Sequence, residues 1–130
     1  MMINILKCKI HRATVTGADL NYEGSISIDP QLIEAAGLIA YEQVDIYNCN
    51  NGARFTTYVI KGKPGEICLN GAAARLVHRG DIVIIASFAS MDLTQAKKYE
   101  PKVVFVIQKI ELNNWTPTIT KLFPKIFNYF

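Results

Sequence analysis

The apolar stretch from Ile82 to Phe88 most narrows what this chain can become. It is rich in β-branched residues and far shorter than a bilayer span, so it reads as a strand buried on both faces. Other segments read as strands too. Leu6, Cys8 and Ile10 alternate with Lys7, Lys9 and His11, a period of two. Val44 and Ile46 alternate with polar neighbours between Glu42 and Asn48, and Arg54 to Ile60 sets Arg54, Thr56 and Tyr58 against Phe55, Thr57 and Val59. Ile26 to Ile28, Ile67 to Leu69 and Val103 to Ile110 are further short strands, with Val103 to Ile110 expected to be the last. Ala13 and Val15 take the phase that Lys9 and His11 held, which predicts a twisted or bent first strand.

Helix signals are short and local. Asp29-Pro30 is a good opening, because Asp accepts from free N–H groups and Pro suits the first turn. Leu32, Ile33, Ala35 and Ala36 supply the apolar face, and Gly37 can close it. Asn70-Gly71 leads into a small helix through Ala72-Ala73-Ala74, and Asp92 to Tyr99 into a surface helix stopped by Pro101. Asn50-Asn51-Gly52 signals a hairpin. Many short strands, tight turns and one- or two-turn helices point to a small closed β-barrel, whose strand order the pattern alone does not give.

The 130 residues suffice for one compact domain. A net charge of +3 without a concentrated basic stripe argues against a nucleic-acid partner. Cys8, Cys49 and Cys68 are odd in number and widely spaced, so neither a disulfide scaffold nor a metal site is expected; reduced, buried thiols are. Asn4, Lys7 and Lys9 interrupt the early apolar residues, so no secretory signal is expected, and no apolar run is long enough for a membrane helix. The expectation is a cytoplasmic protein without a membrane partner.

Tyr22-Glu23-Gly24-Ser25 is the stretch with chemical interest. By itself a Gly-Ser pair between apolar runs is a turn or a kink in a strand. Its company is more specific: Lys9-Ile10-His11-Arg12 upstream, Asn51 to Tyr58 downstream, and Asn70-Gly71-Ala72-Ala73-Ala74 beyond. In order and spacing, from about Leu6 to Met91, these segments resemble the pyruvoyl-dependent aspartate 1-decarboxylases. The resemblance implies a mainly β fold, a small six-stranded double-psi β-barrel with short helices spanning 1–112. It also implies a chain that cuts itself into 1–24 and 25–130, a homotetramer with sites between subunits, and in some relatives an acetyltransferase-like maturation factor. The 113–130 tail leaves the family pattern. Its aromatics suit packing on a neighbouring subunit, with disorder and membrane-surface contact as the other readings, and its prolines argue against one long helix.

Loss of carbon dioxide from an α-amino acid leaves electrons that no ordinary side chain can accept, so a carbonyl sink is needed. No pyridoxal phosphate lysine can be recognised. The resemblance supplies the sink from Ser25: its hydroxyl attacks the Gly24 carbonyl, elimination of the ester gives dehydroalanine, and hydrolysis leaves a pyruvoyl group that holds L-aspartate as a Schiff base. Thr57 is carried over as the residue polarising the Gly24 carbonyl, and Tyr22 and Asn70 as residues that assist cleavage or orient the site. Lys9 and Arg54 match the cations for the substrate's two carboxylates; which holds which stays open, with the forked Arg54 favoured for the retained one. Tyr58 is the candidate proton donor, sharing a strand face with Arg54, although a core aromatic with a wet hydroxyl is the plainer reading. His11 is expected to shape the pocket or bind water, and would otherwise be a partly buried histidine. Tyr47 stands where family members often carry Trp. Gly71, Ala72 and Ala73 suggest a close backbone approach to substrate. A non-catalytic barrel that binds a ligand or nucleic acid is the competing class; its signature of interleaved basic and aromatic residues is not evident.

Overall fold

A computed structural model describes residues 1–111 and 114–123, with side chains through Val106. In chain order the elements are β1 (Met2–Thr14), β2 (Gly17–Asp19), β3 (Ser25–Ile28), α1 (Pro30–Ala36), β4 (Gln43–Asn48), β5 (Arg54–Lys61), β6 (Ile67–Asn70), a 3-10 helix (Gly71–Leu76), β7 (Ile82–Asp92), α2 (Leu93–Lys98), β8 (Lys102–Glu111) and β9 (Asn114–Phe123). The sheet runs in the order β2-β6-β3-β5-β4-β7-β1-β8-β9. Its ends meet because β2 continues β1: Val15 N–H donates to Asp81 O and Thr16 N–H to Ile67 O, each at 2.8 Å, carrying the chain over to β6. Counting β1 and β2 as one, six strands close a barrel, and β8 and β9 extend the sheet beyond β1. The expected mainly β barrel is met in strand content, strand number and helix length. Among the described residues no helix is long and apolar enough to cross a membrane.

The phase change in β1 is a bulge. Ile10 pairs with Ile85 and Ala13 with Val83, so three steps on β1 face two on β7, and Arg12 takes the extra place at φ 66°. The insertion turns Ala13 and Val15 into the core with Cys8 and Ile10. A second irregularity between Leu6 and Cys8 leaves Lys7 out of the β1–β7 register. Lys7 Nζ reaches Gly37 O at 2.9 Å, at the C-terminal end of α1, and both oxygens of Glu42 at 3.0 and 2.9 Å. The helix itself follows its signals: Asp29 accepts from Gln31 N–H, and Gly37 closes at φ 74°.

Burial alone would raise the Glu42 carboxyl, but hydrogen bonds from Ser87, Lys7 and the Ile39 N–H outweigh it and hold the pKa below the ordinary value. A carboxyl depressed on folding adds stability above its unfolded pKa, about 4.3, and that stability is lost as pH falls through the folded value. Glu42→Gln is therefore expected to lower Tm at pH 7 and to show a smaller further fall below pH 4.5 than the parent. Thermal melts across pH 3–7 measure this.

Three expectations are corrected. The Ile82–Phe88 strand is not sealed on both faces: Val83, Ile85, Ala86 and Ser87 are buried, Ile82 and Ile84 are half-buried, and Phe88 is 48% exposed. Its inner residues meet the barrel core, while no second layer covers the outer face among the described residues. Val103 to Ile110 is not the last strand, since β9 returns antiparallel along β8; Pro117 is tolerated there because β9 is the sheet edge. Cys49 is exposed rather than buried, lying just past β4 at the hairpin turn. The aromatic end of the tail, residues 124–130, lies outside the described residues.

Candidate active site

Ser25 is the first residue of β3 and is 1% exposed. Its Oγ donates to Glu23 O at 2.9 Å and accepts from Asn70 Nδ2 at 3.0 Å. The same Nδ2 donates to Ser27 Oγ at 3.1 Å, and Asn70 Oδ1 accepts from Cys68 Sγ at 3.3 Å. Antiparallel pairing explains the meeting, because Ser25 stands opposite Asn70 and Ser27 opposite Cys68. Sequence reasoning singled out Ser25 and Asn70 but missed Ser27 and Cys68. Their signal was the period of two, which puts each on the same strand face as its partner.

Gly71 opens the 3-10 helix at φ 67°. A Cβ there would lie 2.7 Å from Gly24 Cα and 2.8 Å from Gly24 N. The backbone before the Gly-Ser bond thus crosses directly over Gly71. Gly24 itself has open space where a Cβ would stand, and it is not among the left-handed glycines. The tight spot belongs to Gly71, and the peptide at Gly24 shows no left-handed strain. Ala72 is exposed and Ala73 half-buried against the core.

On its other side β3 runs parallel to β5, with Ile26 opposite Val59. Continued back along both strands, the register sets Ser25 beside Tyr58 and Gly24 beside Thr57. Ile26 and Val59 point into the core, so Ser25 and Tyr58 share the opposite face. Among the described residues no hydrogen bond joins Thr57 to the Gly24 carbonyl. Thr57 and Tyr58 line a cavity of about 450 Å³ with Tyr41, Gln43 and Thr56. A second cavity, about 400 Å³, lies towards β6, where Tyr22, Ser27, Cys68 and Asn70 line it with Lys61 and Glu66 among others. Tyr22 is 55% exposed.

The cations stand elsewhere on the wall. Arg54 lies with its guanidinium carbon 3.9 Å from the Tyr47 ring centre, a stacked cation–π contact. Tyr47 OH donates to Asp45 Oδ2 at 3.2 Å, and Thr56 donates to Asp45 Oδ1 at 2.9 Å. Arg54 is four residues from Tyr58, about 13 Å along an extended strand. Lys9 pairs with Ala86, which pairs with Asp45, which pairs with Thr56. By this way round the barrel three strands lie between β1 and β3; by the other way, through β2, only β6 does. His11 packs edge-on against Phe105 at 5.4 Å; burial, then Lys9 and Arg12, lowers its pKa. The chain thus brings Ser25 to Asn70 and Gly24 to Gly71, with Thr57 and Tyr58 on the neighbouring strand; Arg54 stacks on Tyr47, and Lys9 and His11 stand on β1.

A small closed barrel with a sealed, amide-held serine at the head of a strand and cavities on either side has the build of an enzyme. Comparison with known proteins says of which kind. A family model described as aspartate decarboxylase matches residues 1–113. A protein of Bdellovibrio bacteriovorus named aspartate 1-decarboxylase is 70% identical over 109 residues, covering 84% of this chain and 88% of its own. Proteins with the same name from Hydrogenobaculum and Campylobacter hominis are 62% and 59% identical, covering 84% and 85% of this chain and 87% and 97% of theirs. The chain belongs to the aspartate decarboxylase family and is a carboxy-lyase.

Proposed function

We propose that the chain converts L-aspartate to β-alanine and carbon dioxide, using a pyruvoyl group made from its own Ser25 after the Gly24–Ser25 bond is cut. The product would feed pantothenate and coenzyme A synthesis. The observation that carries this reading is the sealed Ser25 hydroxyl, held by Asn70 Nδ2 and turned back on the chain at Glu23 O. In a plain surface turn this hydroxyl would face water. Here it sits within one residue of the carbonyl it would attack.

In the first step Ser25 Oγ bonds to the Gly24 carbonyl carbon, the Gly24 C–Ser25 N bond breaks, and the hydroxyl proton passes to the released nitrogen. Thr57 is the residue that would donate to the carbonyl oxygen as charge develops there. The surroundings fit a pyruvoyl group at position 25, because Asn70 Nδ2 offers N–H groups where carbonyl oxygens need donors. When present, that group supplies the electron sink for the charge left by carbon dioxide. Tyr58, on the face of Ser25, has a phenol to deliver the proton to the former α-carbon.

Arg54 and Lys9 would hold the substrate's carboxylates, in a homotetramer whose sites lie between subunits. Tyr47 fixes the plane of Arg54, and His11 shapes the wall near Lys9. Residues 1–112 would form the decarboxylase domain and 113–130 an addition to it.

Denaturing mass spectrometry of the purified chain tests the reading. The expected result is a fragment ending at Gly24 and a larger one whose first residue is a pyruvoyl group. A chain that stays whole after warm incubation, both alone and with extract supplying a maturation factor, would refute it. Arg54→Lys keeps the charge and loses the fork. It is expected to raise KM for aspartate about tenfold, equivalent to about 1.4 kcal/mol, with the cleavage rate within about twofold of the parent. Steady-state kinetics on fully cleaved protein measures the first and fragment formation the second.

A further inference from the structure

Asn70 is 3% exposed and uses both ends of its amide. Nδ2 donates to Ser25 and Ser27, and Oδ1 accepts from Cys68. Which end faces Ser25 decides what the serine hydroxyl can do. As bonded, an Asn70 N–H occupies one lone pair of Ser25 Oγ, the serine's own proton goes to Glu23 O, and the second lone pair is left free. With the amide turned over, Ser25 would give its proton to Asn70 instead of Glu23. Ser25 and Ser27 do not choose between these states, because a hydroxyl either donates or accepts. Cys68 does choose. Its S–H donates to an amide oxygen, whereas its sulfur is a weak acceptor for an amide N–H.

We propose that Cys68 is a positioning residue for chain cleavage: by holding Asn70 Oδ1, it turns the amide N–H groups onto Ser25 and leaves the serine proton directed at Glu23 O. This rests on the reading that Ser25 attacks the Gly24 carbonyl. The free lone pair forms the new Oγ–C bond as the C–N bond breaks, and the proton held towards Glu23 O ends on the Ser25 nitrogen. Placement favours the role. Cys68 precedes Asn70 by two residues on β6, so both side chains leave the same face. Burial, then the carboxylates of Glu66 and Asp19, raises the thiol pKa, so the sulfur keeps the proton it donates at neutral pH. Cys68 does not touch Ser25. It stands opposite Ser27 on β3 and reaches Ser25 through Asn70.

The test follows cleavage of freshly purified full-length chains by denaturing mass spectrometry, for the parent, Cys68→Ala and Cys68→Ser. Cys68→Ala is expected to form fragments roughly five- to tenfold more slowly, the effect of losing one neutral hydrogen bond. Cys68→Ser restores a donor and should cleave within about twofold of the parent. If Cys68→Ala keeps pace with the parent, or Cys68→Ser is no faster than Cys68→Ala, the positioning role is overturned. A parent chain that never cuts would overturn the cleavage reading and this role with it, so the two failures are told apart by the parent alone.

Discussion

Ser25→Ala is expected to stay whole and to make no β-alanine. On a denaturing gel it should run as one species of about 14.5 kDa, where the parent gives two. The substitution removes one buried oxygen and nothing else. Asn70 Nδ2 keeps Ser27 Oγ as an acceptor, and the small β3 backbone pairings are untouched. The stability loss should therefore be about 1 kcal/mol, a few degrees in Tm. Activity, in contrast, should fall to the uncatalysed background, because on the proposed route this hydroxyl is the nucleophile that cuts the chain, and its departure with Gly24 is what turns residue 25 into the sink. Loss of chemistry in a chain that still melts cooperatively near the parent is the signature sought. Measurable β-alanine from this variant would mean that the electrons left by carbon dioxide go to some other acceptor.

Signals that act over a few residues were legible in the sequence. The Asp29 cap, Pro30 and Gly37 bracket α1 because capping is local. The phase change in β1 foretold a bend, since core burial must follow the strand face. What failed was information held by neighbours far along the chain. The apolar composition of β7 says nothing of what covers its outer face, so Phe88 was read as buried. Ser27 and Cys68 joined the site only through Asn70, itself 45 residues from Ser25. Lys9 and Arg54 could be read as charges on strands, but which strands lie beside theirs could not. A period of two fixes the face of a residue and leaves its strand's neighbours open. The sequence draws attention to Gly24, but the crossing of two backbones puts the steric demand on Gly71.

Gly71→Ala is therefore expected to do more damage than any other single methyl group near the site. Alanine at φ 67° costs about 1–2 kcal/mol for its left-handed backbone. The larger effect is the contact with Gly24 Cα and N at 2.7 and 2.8 Å, since backbone atoms cannot rotate aside as a side chain can. Relief requires the Tyr22–Gly24 segment to lift, which draws Ser25 from Asn70 or separates β3 from β6. Together these should cost about 2–4 kcal/mol, roughly 10 °C in Tm, and slow cleavage at least tenfold, through the same hydrogen bond whose loss in other settings costs that much. Gly80→Ala is the control: its φ is 95°, but nothing lies within 4 Å of the new Cβ. It should lose stability through backbone strain alone and cleave at the parent rate. Thermal melts and fragment formation on both variants separate crowding from strain. Equal cleavage by the two would show that the crossing over Gly71 is slack, and that Ser25 is held in place by its strand pairing and Asn70 without help from the helix turn.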